Sequence, residues 1–278
     1  MDGGNQVLSK RVLLVPVLLL AGCGGTTANN SVPVISAPDP GTAPTPTPSP
    51  SPLPTSGSPI RAMSCTVEDT VRRATRITIA PASGQVAVVA IGSSSTAGNG
   101  ASSASTNYPF VLQQLLATHR DIAAYAVFNK GVSGDTLVGT QGRLQSDVFN
   151  QSPQVVIVQA GTNDAITGQS SAALADFNIR LRAVVSTITA KAPVVLMNGQ
   201  HYPSEPSNYL DYQAVIEQVG RDLDVPVFDR YALMKSWIDS GRYGYSDILA
   251  SDSFHPNDLT YRCMANVMAE LIVAKTVR

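Results

Sequence analysis

A serine hydroxyl, a histidine and a carboxylate are enough for nucleophilic acyl transfer if the fold brings them together. Ser94, His255 and Asp252 supply the three types. A serine is a poor nucleophile at neutral pH until an adjacent base takes its proton. Histidine is the side chain whose ordinary pKa suits that task. A carboxylate then holds the ring in the right tautomer and stabilises the imidazolium that forms. The chain has 3 histidines, and only His255 has an Asp three residues before it, in Asp252-Ser253-Phe254-His255. The negative oxygen of a tetrahedral intermediate also needs hydrogen-bond donors. Gly134, Asn163 and the backbone N–H of Ser94 are the candidates. Ser93 and Ser95 flank Ser94 and remain rival nucleophiles on composition alone.

These residues stand where apolar runs end. Val86–Ile91 runs into Gly92-Ser93-Ser94-Ser95-Thr96-Ala97-Gly98. Ala124–Phe128 runs into the polar block from Asn129 to Thr136, and Val155–Gln159 into Ala160-Gly161-Thr162-Asn163-Asp164. Two further apolar runs, Val194–Met197 and Val225–Phe228, follow. Amphipathic segments alternate with the runs, near 108–119, 137–149, 172–190, 209–223 and 231–240, with a last helix near 259–277. Continuous β-branched runs suit strands covered on both faces. Five strand-helix alternations predict a parallel, doubly wound sheet in a three-layer α/β/α sandwich. Parallel strands end at one edge, where ligands bind in open sheets. The first three polar blocks can therefore converge, and the Asp252–His255 loop can fold over them. Arg76-Ile77-Thr78-Ile79 is a candidate short edge strand.

The four blocks together resemble those of the SGNH hydrolases, also called the GDSL lipase/esterase family. Gly92 to Gly98 resembles the first block, with Ser94 at the nucleophile. Asn129 to Thr136 resembles the second, with Gly134 at the oxyanion glycine. Gly161-Thr162-Asn163-Asp164 matches the third, with Asn163 at the oxyanion asparagine. Asp252 and His255 match the last. The resemblance covers roughly residues 85–275. It implies a flavodoxin-like, five-stranded parallel sheet of order 2-1-3-4-5, and no metal or cofactor. One position departs: Ser93 stands where the family carries Asp. What the resemblance implies is a carboxylic ester hydrolase acting through an acyl-enzyme, with short acyl groups such as acetyl, on a small molecule or glycan, as the expected substrates. Lysophospholipase or thioesterase, O-acyltransferase, and a non-catalytic binding module are the alternatives. Tyr202 and Tyr209, in the segment after the fourth strand, are candidate walls of the substrate cleft.

The 278 residues suit one domain with accessories, and a net charge of −1 gives no electrostatic reason to expect nucleic acid as a partner. Lys10 and Arg11 precede a short apolar run, Val12 to Leu20, too short to span a bilayer. The run ends in Leu20-Ala21-Gly22-Cys23, which resembles a bacterial lipoprotein processing site. That resemblance implies a signal peptide over 1–22, lipid on Cys23 and attachment to the cell envelope; Gly24, which is not Asp, points to the outer membrane. Ten of the chain's 19 prolines lie between Pro33 and Pro59. Residues 23–64 are accordingly expected to be an extended, coreless tether, and the folded domain to span 65–278. With Cys23 carrying lipid, Cys65 and Cys263 remain, and an oxidising compartment favours a disulfide between them.

Overall fold

The structure, a computed structural model, describes residues 61–277. The signal segment, Cys23 and the proline-rich stretch lie outside the described residues. Packing reaches back to Met63, whose carbonyl accepts from Trp237 Nε1 at 2.9 Å and whose N–H donates to Ser236 Oγ at 3.0 Å.

The elements are α1 (Val67–Thr70), β1 (Val71–Arg72), β2 (Gln85–Gly92), α2 (Ser94–Ala97), α3 (Tyr108–Leu116), β3 (Ala124–Gly131), α4 (Leu137–Gly142), β4 (Val155–Gln159), α5 (Thr162–Thr167), α6 (Ser171–Thr189), β5 (Val194–Met197), α7 (Tyr209–Asp222), β6 (Val227–Phe228), α8 (Arg230–Asp239), α9 (Tyr245–Ile248) and α10 (Asp258–Lys275). The sheet runs β1-β6-β5-β4-β2-β3. Strands β2 to β6 are mutually parallel and keep the expected order 2-1-3-4-5. The expected five-stranded, all-parallel sheet needs a correction, because β1 adds a sixth strand antiparallel to β6, pairing Val71 with Phe228. Helix α1 delivers this strand to the open edge, and the Asp229 N–H donates to Thr70 O at 2.9 Å. Two residues are too few to leave a periodic signal. The proposed strand at 76–79 does not join the sheet. Ala74–Arg76 is a 3-10 turn, and Ile79 bridges to Thr276 beyond α10.

The strands are apolar because helices cover both faces. Every residue of β4 and β5 is buried. Helix α3 packs on α10 to one side, and α6 packs against α4 and α7 on the other. Side-chain oxygens start α3, α6 and α10: Asn107 accepts from the Phe110 N–H, Ser170 from that of Ala173 and Asn257 from that of Thr260. The expected helix over 137–149 is broken. After α4, Arg143 leaves the helical path, Leu144–Val148 makes a π-helical turn and Phe149–Gln151 a 3-10 turn. The Cys65–Cys263 disulfide forms, tying the chain before α1 to α10.

Register sets the site. Gly92 pairs with Gly131, Gln159 with Met197 and Met197 with Phe228, so the parallel strands end in line. The turn after β2 lies directly on the backbone of β3. A Cβ at Gly131 would stand 2.0 Å from Ala97 N, so only glycine admits this approach.

Candidate active site

Ser94 opens α2 immediately beyond β2 and is 6% exposed. Its Oγ lies 2.9 Å from His255 Nε2. His255 Nδ1 lies 2.6 Å from Asp252 Oδ2. A carboxylate can only accept, so Nδ1 carries the proton and Nε2 is left to accept from the Ser94 hydroxyl. The other Asp252 oxygen accepts from the N–H groups of Phe254 at 3.0 Å and His255 at 2.9 Å. Burial pushes the Asp252 carboxyl up, but the His255 ring and the two backbone donors outweigh it and hold the group below the usual carboxylate range. It therefore stays charged wherever His255 acts as a base.

The neighbouring serines are turned elsewhere. The Ser93 N–H and Oγ both donate to Gln159 Oε1, at 2.8 and 3.0 Å. Ser95 Oγ donates to Gln200 Oε1 at 3.2 Å. Of the three, Ser94 alone is hydrogen-bonded to His255. Ser93 does the work of a small polar peg: it fastens the turn to the end of β4 where the resembling family carries an acid.

Gly134 and Asn163 meet through Asp135. Asn163 Nδ2 donates to the Asp135 carbonyl at 2.8 Å, which leaves its second amide proton for another acceptor. Gly134 has a φ of +78°, a conformation that glycine adopts without strain, with nothing within 4 Å of the Cβ position. Ser94 is the first residue of α2, and first-turn N–H groups have no partner inside a helix. Asp164 fastens the two loops, with Oδ1 accepting from Leu137 N–H at 2.9 Å and Oδ2 from Gly161 N–H at 3.2 Å. Burial raises its pKa.

Arg143 went unnoticed in the sequence, where nothing sets it apart from any other helix arginine. Its side chain is 15% exposed and turns inward. It donates to the carbonyls of Gly92 at 2.9 Å and Lys130 at 2.6 Å, and pairs with Asp135 and Asp147. One guanidinium thus clamps the ends of β2 and β3 to the loop that carries Gly134. Gln159 had a visible signal, a polar residue closing the apolar run Val155-Val156-Ile157-Val158.

Tyr202 and Tyr209 do not wall a cleft. They are 5% and 1% exposed. Tyr202 packs edge-on against Phe254 at 4.8 Å and Tyr209 at 5.4 Å between ring centroids, and Phe254 in turn packs against His255 at 4.7 Å. Tyr209 OH donates to Gln200 O at 2.8 Å. Large aromatic rings were better used as a floor under the histidine loop than as an exposed wall. A cavity of about 610 Å³ opens on the Asp252 side of the histidine loop, lined by Gly100, Ser102, Ser251, Asn257 and Asp258 among others, without reaching Ser94 or His255. Among the described residues no group of His, Cys, Asp or Glu could hold a metal ion, and no helix is long and apolar enough to cross a membrane.

Comparison with known proteins bears on the fold and the family. Esterase TesA of Pseudomonas aeruginosa is 27% identical over 138 residues, 48% of this chain and 62% of TesA. A two-domain esterase active on acetylated mannans superposes with a TM-score of 0.58 at 20% identity, over 70% of this chain and 50% of that one. An acetylxylan esterase from Geobacillus stearothermophilus superposes with a TM-score of 0.56 at 20% identity, over 67% of this chain and 94% of that one. The two structures share the fold. The chain spans less than two thirds of TesA and half of the mannan-active enzyme. The model of the non-GDSL lipase-like family matches residues 64–278, a description that suits a first block with Ser93 in place of Asp. On that match, the chain belongs to the non-GDSL lipase-like family.

Proposed function

We propose that this protein is a serine esterase that hydrolyses carboxylic esters through an acyl-enzyme. The continuous hydrogen-bonded chain Ser94–His255–Asp252 carries the proposal. Ser94 Oγ attacks the ester carbonyl while His255 Nε2 takes its proton, and Asp252 steadies the imidazolium. The oxyanion is met by the Ser94 and Gly134 N–H groups and the free amide proton of Asn163. Collapse breaks the bond to the alcohol, which leaves with the proton from His255. Water then attacks the acyl-serine through the same base, releasing the acid and restoring the hydroxyl.

The substrate we favour is a short acyl ester, acetyl above all, on a sugar. The cavity beside Asp252 is open and mixes polar groups, Ser102, Ser251, Asn257 and Asp258, with apolar ones in about equal measure, which leaves room for a hydroxyl-bearing leaving alcohol. Two enzymes of the same fold are named for acetylated mannans and acetylxylan. A second reading, a longer acyl chain, is favoured by one observation. Val132, Val138 and Ile166 are 47%, 55% and 39% exposed on the segments that carry Gly134 and Asn163. Cleavage before Cys23 and lipid on its thiol would place the enzyme in the envelope, on a tether over 23–64.

The test is hydrolysis of p-nitrophenyl acetate, butyrate, octanoate and palmitate by the chain from Arg61 onward and by its Ser94→Ala variant. Rates that fall with chain length and drop by on the order of 10⁴-fold or more in the variant support the acetyl-esterase reading. A rise with chain length moves the substrate to lipids. Full activity in Ser94→Ala sinks the mechanism.

A further inference from the structure

Gln200 lies in the loop between β5 and α7 and is fully buried. Its Oε1 faces three donors: Ser95 Oγ at 3.2 Å, Thr162 Oγ1 at 3.4 Å and Arg230 Nη2 at 3.0 Å. Its Nε2 donates to Phe254 O at 3.5 Å. An arginine only donates, so the amide orientation is settled by the partner and is not an arbitrary choice. Ser95 follows the nucleophile, Thr162 precedes Asn163 and Phe254 precedes His255. One amide therefore touches the immediate neighbour of three functional residues carried by three separate segments.

Arg230 holds that amide from below. It is the first residue of α8, fully buried, and its Nε donates to Asn198 O at 3.1 Å. Among the described residues it has no carboxylate partner, and its Nη1 has no partner at all. Burial holds its pKa below that of an ordinary guanidinium, and the titratable groups around it are the phenols of Tyr209, Tyr261 and Tyr108. Burying an unpaired cation is costly, and a well-packed apolar pair would serve stability better. The cost is intelligible if the charge fixes Gln200.

We propose that Gln200, held by Arg230, is a positioning residue that sets the nucleophile turn, the Asn163 turn and the histidine loop in mutual register. The proposal deepens the esterase reading and rests on it for the reaction that the register serves. A misplacement of about 1 Å at reacting atoms costs about 100-fold in rate. Gln200→Leu, which removes all four hydrogen bonds at similar size, is thus expected to lower kcat on p-nitrophenyl acetate by about 100-fold, with KM changed by less than about twofold. Gln200→Glu keeps the acceptors for Ser95, Thr162 and Arg230, loses the donor to Phe254 and adds a negative charge behind His255, whose ring otherwise faces Asp252. It is expected to move the acid limb of the kcat/KM profile to higher pH, and the His255 ring, followed by NMR with His255→Asn as the assignment control, should titrate higher to match.

A parent-like kcat in Gln200→Leu overturns the proposal, as does a loss that only follows the folded fraction in thermal unfolding. If the Leu variant does not fold, Gln200→Glu decides, and an unmoved His255 titration overturns the proposal. A parent chain that hydrolyses none of the esters fails the esterase reading, while the NMR titration still judges the positioning claim.

Discussion

Ser94 and His255, the proposed nucleophile and base, meet across a 2.9 Å hydrogen bond, yet the two sides are held in different ways. The turn at Ser94 is built into the sheet. Ser93, Ser94, Ser95 and Thr96 are all buried, Gly131 lies underneath, and Gln159, Gln200 and Arg143 reach it or the strand before it from other elements. The histidine loop is held mainly by itself. Asp252 bonds only to residues two and three ahead, Ser253 takes a positive φ of 54°, and the Asp252 side chain is 47% exposed. Its further ties are the Phe254 ring, the Gln200 amide, the Leu249–Pro256 bridge with the Asn257 N–H donating to Ile248 O at 3.2 Å at the end of α9, the backbone of Gly100 packed on His255 and Pro256, and the helix α10 that follows. On the proposed mechanism, a nucleophile placed by the core and a base placed by a loop would divide the labour: one side would fix where the substrate carbonyl sits, and the other could adjust as the proton moves.

The comparison can be broken from the loop side first. Asp252→Asn leaves the loop's backbone bonds an acceptor but can present an N–H to Nδ1 and so favour the wrong tautomer. It is expected to lower kcat by on the order of 10³-fold, with the melting temperature nearly unchanged, because the group is half exposed. A fall in melting temperature that accounts for the lost rate would make the loop structural. The wild-type carboxyl sits below its ordinary value of 3.8, so its contribution is present above that pH and is lost only as pH falls through the lower folded value.

The second effect is one of stability. Replacing Cys65 and Cys263 together with Ser opens a link across a sequence separation of 198. Removing such a constraint costs about 2–5 kcal/mol. Thermal unfolding should register the loss while kcat at 25 °C stays at the parent value, since neither cysteine touches the site. A lost kcat in a fully folded double variant would mean that α10 positions the histidine loop through the disulfide.

The smallest effect lies away from both regions. Glu217 on α7 has a buried oxygen without a hydrogen-bond partner among the described residues, and burial, with Asp229 adding to it, pushes its carboxyl up from 4.5 to about 7. A raised carboxyl pKa costs the fold nothing below pH 4.5. The cost grows as pH rises toward 7 and is complete above it. Glu217→Gln should therefore raise the melting temperature by about 2–4 °C at pH 8, the group being partly screened, and leave it unchanged at pH 4. A gain at both pH values would point to packing rather than charge.

What was legible in the sequence follows from length and repetition. Strands such as Val155–Gln159 and helices such as Ser171–Thr189 carry enough residues for a period to show, and parallel strands force their polar ends together. Other features were not legible, besides Arg143, the break after Gly142 and the misplaced strand at 76–79. Strand β1 has two residues and forms because α1 and the disulfide place it beside β6. Ser94 was chosen over Ser93 and Ser95 by resemblance alone; the residue types do not separate the three, because the acceptor each hydroxyl faces lies 65 or more residues away in the chain. Tyr202 and Tyr209 have the chemistry of a sugar-binding wall, but burial decides their use, Tyr202 against Phe254 and Tyr209 against Tyr202 and Tyr231, and that burial has no local signature.

The most direct test is where a covalent probe lands. The folded chain is treated with a p-nitrophenyl phosphonate ester, which phosphonylates an activated serine with release of p-nitrophenol, and the adduct is located by tandem mass spectrometry. A single adduct on Ser94, absent from Ser94→Ala and strongly slowed in His255→Ala, is the predicted result. An adduct on Ser93 or Ser95, or turnover of esters with no adduct on this turn, would contradict the account.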